Sequence, residues 1–379
     1  LNLAPPDLAG LGRIPAGTEI YLRPTAFVDS PFDLDKRALR LAGGLVWFSA
    51  IELIVVDGAR RMLAELVPVD RLEEAFAMLP TRQRATAETT LARIVAPRPA
   101  LVLGDRTVRL DQPQVMGILN VTPDSFSDGG AHVGDPAGAA AAGVALAAKG
   151  AAIIDVGGES TRPRAPTVWE GDEIARVVPV IERLAAAGTA VSIDTRKAAV
   201  MEAGLAAGAR IINDVTALDY DARSIEVAAR ANCPVVLMHH REKPAEGAPD
   251  DVLIEVYDWL AARIARAESA GIARQRIIVD PGLGAGSFGK RVRDNMALMN
   301  GLALLHGLGC PILLGASRKT FIGALSNEAP VTERLGGSLA MALVGAQQGV
   351  QLLRVHDVAE TAQLLRVWRG LRDEALTPR

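Results

Sequence analysis

The sequence predicts an α/β protein, a (β/α)8 TIM barrel with an additional small α/β domain at its N-terminus. Three observations predict it. From about residue 114 onward, short apolar runs alternate with longer segments of helical spacing. That is the pattern of a parallel sheet buried on both faces and connected by helices. The runs number eight, and the stretch they occupy is close to the about 250 residues of a closed barrel. Each run also ends in polar or charged residues, and in this fold the C-terminal rim of the strands carries the site.

Residues 1–110 lack this rhythm and are expected to form the separate domain. "GTEIYLRPTAFVDSP", "LAGGLVWFSAIELIVV" and "PVDRLEEAFAML" read as strands and a helix, with no chemistry to assign. "IVAPRPALVLGDRTVRLDQPQ" (94–114) reads as a linker and then a β-hairpin turning at Gly104–Asp105, placed to plug the bottom of the barrel. The barrel is expected over 111–379, with strands at 115–119, 152–156, 190–194, 210–214, 235–239, 277–280, 312–315 and 351–355. Between them, "DPAGAAAAGVALAAKG", "EIARVVPVIERLAAAG" and "VLIEVYDWLAARIARAESAG" have helical spacing and end in Gly, as helix C-termini often do.

Composition narrows the function classes. Hydrophobic residues make up 49% of the 379, aromatics only 4%, so the core is built of Ala, Val, Leu and Ile. A net charge of −3 offers no basic excess for nucleic acid. No apolar run reaches the roughly 18 residues of a membrane span, and no signal peptide is visible, so a cytoplasmic enzyme is expected. Cys233 and Cys310 each precede Pro and an apolar run and are expected as buried free thiols.

The rim residues suggest a site for an anion and a flat polar heterocycle. Ser160, Thr161 and Arg162 in "ESTRP", Ser317, Arg318 and Lys319 in "GASRK", and Arg354 and His356 in "RVHD" supply hydroxyls, cations and helix N-terminal amides suited to phosphate. Arg354 and His356, two apart on a strand, share a face and can cooperate. Asp194, Asn213 and Asp280 project short carbonyl-bearing groups that can pair with N–H groups of a ring edge. His239 and His240 are adjacent on a strand and point to opposite faces, which argues against zinc. Asp357 is expected as the N-cap of the last helix.

"GILNVTPDSFSDGG" (117–130), "GGESTRP", "SIDT", "NDVTAL", "DPGLGAGSFGK", "GASRKTFIG" and "RVHDV" occur in an order that resembles the dihydropteroate synthase family from about Val115 to Val358. The resemblance implies condensation of 6-hydroxymethyl-7,8-dihydropterin diphosphate with p-aminobenzoate, releasing pyrophosphate. It implies that Asp194, Asn213, Asp280 and Lys319 hold the pterin. Asn120, Thr161, Arg354 and His356 hold the diphosphate, with Asn120 helping to place Mg²⁺. Arg162, Pro163, Ser317 and Phe288 border the aminobenzoate. The Ser-, Asp- and Gly-rich turn becomes a lid, with Asp124 as a ligand, Phe126 as a wall and Gly129 and Gly130 for freedom. A homodimer through the last helices is implied as well.

Three departures stand out. "DPGLGAGSFGK" is about three residues longer before Phe288 than the family pattern, Arg164 stands where Gly is common, and His240 where Met is frequent. The longer loop raises the question of altered discrimination between p-aminobenzoate and sulfonamides. Two rival readings remain: a pterin-dependent methyltransferase on the same kind of barrel, working with a corrinoid partner, and a non-catalytic barrel serving as a partner subunit.

Overall fold

The computed structural model describes residues 8–377, apart from 33, 35, 36, 59, 123–133, 161–166, 242–250 and 285–287. The first unit is an antiparallel sheet of β1 (Glu19–Val28), β2 (Leu39–Arg40), β3 (Trp47–Asp57) and β4 (Arg60–Pro68), followed by α1 (Leu72–Met78) and α2 (Thr81–Val95). β3 is the centre. β1 pairs with one edge, and β2 and β4 share the other. Its apolar run explains the position, because Phe48, Ala50, Ile51 and Leu53 to Val55 are fully buried.

The hairpin β5 (Leu101–Leu103) and β6 (Arg106–Val108) leads into the barrel strands β7 (Gln114–Asn120), β8 (Ile153–Gly157), β9 (Val191–Asp194), β10 (Ile211–Asp214), β11 (Val235–Met238), β12 (Ile277–Asp280), β13 (Leu313–Leu314) and β14 (Leu352–Val355). They form one parallel sheet in the order β12-β11-β10-β9-β8-β7-β14-β13. A parallel bridge from Val279 to Ile312 closes the ring. The crossovers carry α3 (Pro136–Lys149), α4 (Glu170–Ala186), α5 (Ala198–Ala206), α6 (Ser224–Ala231), α7 (Val252–Ser269), α8 (Val292–Asn300), α9 (Thr320–Leu325) and α10 (Leu335–Gln347), and α11 (Val358–Ala375) follows the last strand. The expected (β/α)8 barrel and the extra N-terminal unit are both present, and the expected strands lie within a residue or two of those observed.

Local chemistry sets several helix starts. Asp135 accepts the Gly138 amide at 2.9 Å before α3, and Asp251 accepts the Leu253 and Ile254 amides before α7. Asp357 departs from expectation. It sits at the N-cap position of α11 without a side-chain cap bond. Its carboxylate receives the Arg318 guanidinium instead, in a two-bond fork with both partners charged. Cys310 is buried, as expected, but Cys233 is only half-buried, because it lies in the turn after α6 rather than in β11; both are free thiols.

The bottom of the barrel is apolar. Met116, Ile153, Ala190, Ile211, Val236, Ile278, Leu313 and Leu352 point inward and pack with Leu101, Leu103, Val108 and Leu110 of the hairpin segment. A hairpin therefore stops the barrel from below, as its sequence suggested. The N-terminal sheet packs against the helical ring through a second, larger core cluster, separate from that floor. Tyr21 donates to Asp258 of α7 at 2.9 Å, Arg98 to the His306 carbonyl at 3.1 Å, and Arg372 of α11 to the Asp29 carbonyl at 2.6 Å. No helix among the described residues is long and apolar enough to cross a membrane.

Leu103→Ala removes a floor contact from a site that cannot collapse, because closed strands surround it. The expected loss is about 2–5 kcal/mol of unfolding free energy, read from the urea midpoint at unchanged m-value.

Candidate active site

Side chains alternate along each strand, so the residues two and four places above the apolar floor also point inward. Two places up stand Asp155, Ser192, Asn213, Met238, Asp280 and Arg354; four places up stand Asn120, Gly157, Asp194 and His356. The change from apolar floor to polar interior thus occurs within one pleat. Gly157 separates Asn120 from Asp194 in register. A Cβ there would stand 3.5 Å from Asp194 Cβ and 3.7 Å from Asn120 Oδ1, so glycine leaves the space between them open.

Arg354 is at the centre. Its Nε donates to Asp155 Oδ2 at 2.6 Å and its Nη2 to Asp194 Oδ2 at 2.5 Å. Asn213 Nδ2 donates to the same Asp155 oxygen at 3.0 Å. The other oxygens, Asp155 Oδ1 and Asp194 Oδ1, are buried without a partner among the described residues. Buried acceptors are normally satisfied, so these two retain capacity for N–H donors of a ligand. Burial pushes the Asp194 carboxyl up to about 7, with Arg354 opposing and Asp155 adding to the rise. Burial disfavours the Arg354 charge too, but the flanking carboxylates outweigh it and hold that group above its ordinary value.

Asp280 faces the same interior. Its Oδ1 accepts the Gly282 amide at 2.7 Å. Burial raises its pKa, against that amide and the charges of Lys319, Arg354 and Lys290. Lys319 lies with its Nζ 5.2 Å from the centre of the Phe288 ring, and Phe288 adopts a left-handed backbone at φ 56°. Burial first, then Arg354, bring the Lys319 amine down to about 8.

His356 and Arg354 face different partners. The His356 backbone N–H donates to Ser317 Oγ at 3.2 Å, and its Nδ1 lies 3.1 Å from the same oxygen. Burial, Arg354 and Arg318 push this histidine down to about 3, leaving it neutral.

The structure thus brings together Asn120, Asp194, Asn213, Asp280, Phe288, Ser317, Lys319, Arg354 and His356. Phe126, Thr161, Arg162 and Pro163, with Asp124, Arg164, Gly129 and Gly130, lie outside the described residues. His239 is buried, its Nδ1 2.7 Å from Lys290 Nζ and its ring edge-on to Trp259.

Two features escaped the sequence reading. Asp155 sits inside the apolar run "AIIDV"; a carboxylate in such a run was itself a signal, because buried charge needs a partner. Below the loop after β8, Lys197 Nζ bridges Glu159 at 2.7 Å and Glu173 at 2.5 Å, and Thr195 donates to Glu173 at 2.7 Å. Glu159 also accepts the Val168 amide at 3.2 Å. This buried network ties Glu159 and Val168, on either side of residues 161–166, to the turn after β9.

These features define a pterin-binding barrel. The chain belongs to the family described as pterin binding enzyme, whose model matches residues 116–356. Its relatives include dihydropteroate synthases. That of Neisseria meningitidis serogroup B is 46% identical over 271 residues, covering 70% of this chain and 94% of the relative. The Xanthomonas albilineans dihydropteroate synthase solved with 4-aminobenzoic acid is 47% identical with a TM-score of 0.68, covering 73% of this chain and 98% of that one. The same enzyme solved with 7,8-dihydropteroate is 45% identical with a TM-score of 0.65, covering 72% and 99%.

Lys197→Met leaves Glu159 and Glu173 buried without their shared cation. A loss of about 3–5 kcal/mol is expected, with Glu173→Gln in the same chain recovering part of it in chemical denaturation.

Proposed function

We propose that the chain condenses 6-hydroxymethyl-7,8-dihydropterin diphosphate with p-aminobenzoate to give 7,8-dihydropteroate and pyrophosphate. The observation that carries the reading is the Arg354 guanidinium fixed between Asp155 and Asp194, whose remaining oxygens are buried and without a partner among the described residues. A pterin presents adjacent ring N–H and amino donors on one edge, the complement of those acceptors. Asp194, Asn213, Asp280 and Lys319 hold the ring in this reading. Asn120, Arg354, His356 and Thr161 take the diphosphate. Ser317, Phe288, Arg162 and Pro163 border the aminobenzoate, and Phe126 closes over it.

The methylene–oxygen bond breaks with its electron pair going to the diphosphate. The aminobenzoate nitrogen then forms the new C–N bond and releases a proton to the departing diphosphate or to solvent. Aromatic amines are weak nucleophiles, so a path with early C–O cleavage suits this pair. The Asp280 carboxylate favours the cationic pterin fragment, and Lys319 and Arg354 favour the leaving anion, fixed before the reaction begins. Water competes for such a cation, so a closing β7 loop belongs to the proposal.

The donor set fits Mg²⁺ held largely by substrate. The Asn120 amide oxygen is a hard donor at the rim, and no group of three or more His, Cys, Asp or Glu among the described residues could hold an ion. Mg²⁺ characteristically takes one or two protein oxygens, with phosphate oxygens and water completing the shell. When bound, it neutralises charge on the diphosphate.

The reading also includes the domain division, 1–110 and 111–379, a cytoplasmic location and a homodimer. The dimer is supported by Val367 and Leu371, one turn apart on α11 and 61% and 68% exposed. Val367→Glu with Leu371→Glu is expected to halve the mass measured by light scattering; an unchanged mass removes the α11 interface.

The test of function is pyrophosphate release from the two substrates with Mg²⁺. The free-enzyme carboxyl at about 7 must be ionised to accept ring N–H groups, and the Lys319 amine near 8 must be charged. The kcat/KM for the pterin diphosphate is therefore expected to rise up to about tenfold per pH unit below 7 and to fall above 8. Asp194→Asn is expected to make the acid limb shallower, Asp280 remaining as a second carboxyl that burial raises. Absence of pyrophosphate release under all these conditions rejects the reading.

A further inference from the structure

The described residues on either side of β12's following loop, 281–284 and 288–290, hold to the end of β11 and to α8. His239 N donates to the Asp280 carbonyl at 2.9 Å, Arg241 Nε to the Gly289 carbonyl at 3.1 Å, and Gly284 N to Asn295 Oδ1 at 2.7 Å. Gly282 is at φ 66°, and a Cβ there would fall 1.9 Å from the His239 carbonyl oxygen and 3.3 Å from Lys290 Nζ. The Lys290 amine therefore lies directly under the Gly282 backbone, whose amide holds Asp280 Oδ1 at 2.7 Å. Lys290 is 2% exposed, and its Nζ lies 2.7 Å from Nδ1 of the fully buried His239. A lysine is seldom buried this deeply without a charge partner. Its setting combines Asp280 and Glu255 as opposite charges with Arg241 and Lys319 as like ones.

We propose that Lys290 is a further positioning residue for the transfer reaction, its amine held on His239 beneath Gly282 as one of the cations around Asp280, with Lys319 and Arg354. The inference rests on the reading of Asp280 as a pterin ligand. Lys290 touches no substrate; it acts through the carboxylate. Burial alone drives Asp280 toward its neutral form, which presents one acceptor fewer to a ring N–H, and Lys290 is among the charges opposing this. In return, Asp280 is the largest influence opposing the fall of the Lys290 amine, which burial brings to about 7. His239 suits its place because burial and the cations around it keep it neutral, with Nδ1 free to accept. A protonated histidine would repel Lys290.

The test measures equilibrium binding of 6-hydroxymethyl-7,8-dihydropterin diphosphate, without aminobenzoate, to the full chain and to Lys290→Gln, Asp280→Asn and the double variant. Glutamine retains an N–H donor toward His239 but carries no charge. The expected result is roughly tenfold weaker binding for Lys290→Gln, mid-range for residues in one network. The double variant should bind no more weakly than Asp280→Asn alone, and Lys290→Arg should bind more tightly than Lys290→Gln. Unchanged binding in Lys290→Gln, or the same loss repeated on top of Asp280→Asn, overturns the proposal. If Lys290→Gln alone does not fold, the double variant decides: a restored cooperative melt supports the charge pairing, and a second failure overturns it. Absence of binding to the unaltered chain rejects the pterin reading itself.

Discussion

The site depends on one guanidinium. Arg354 reaches across the barrel from β14 to Asp155 on β8 and Asp194 on β9, and without it two carboxylates would share a water-poor interior. Burial, with Asp155 beside it, would then drive Asp194 further toward its neutral form. With it, both are oriented, each has one oxygen committed, and each has one oxygen left over. The unused acceptors thus follow from the same ion pair that makes the carboxylates tolerable. The bridge also joins strands on either side of β7, so it fixes the spacing across the opening of the barrel where Asn120 stands.

Such a site is unfavourable for folding, and the compensation lies elsewhere. Deeply buried ion pairs seldom contribute net stability, because desolvation offsets the attraction. The stabilising burial is at the opposite end, where one apolar layer from eight strands is sealed by the hairpin leucines. The N-terminal sheet adds burial in a separate cluster with the helical ring. Stability at the bottom and strained electrostatics at the top is a division of labour that a closed barrel allows, because its two ends are one strand length apart.

The barrel was legible because strands buried on both faces read as unbroken apolar runs, whatever their register. The rim was legible because polarity begins where those runs stop. Asp155 was harder to see. It lies within a run, and its meaning appears only when β14 is known to stand two strands away. Lys197, Glu159 and Glu173 come from a turn, a loop and a helix, and their meeting depends on how α4 is rotated over β9. Asp357 shows the opposite failure: a sound local rule predicted a cap, and a tertiary partner, Arg318, took the carboxylate instead. For the N-terminal segment the strands could be read, but not the face they would cover, since Tyr21 meets Asp258 across a separation no local pattern encodes.

Both buried clusters around the opening share a design. Lys197 stands behind the loop after β8, and Lys290 stands behind the loop after β12. Each is a lysine withdrawn from solvent on the far side of a segment that ends in the site. Arginine serves where a planar fork must span two carboxylates; lysine serves where a single compact charge must fit beneath a backbone turn. The fit at Gly282 is the clearest case, because no side chain can be added there without striking the His239 carbonyl. At that position glycine in "DPGLGAGSFGK" is explained by the left-handed backbone and the His239 carbonyl pressed against it, with the Lys290 amine close behind.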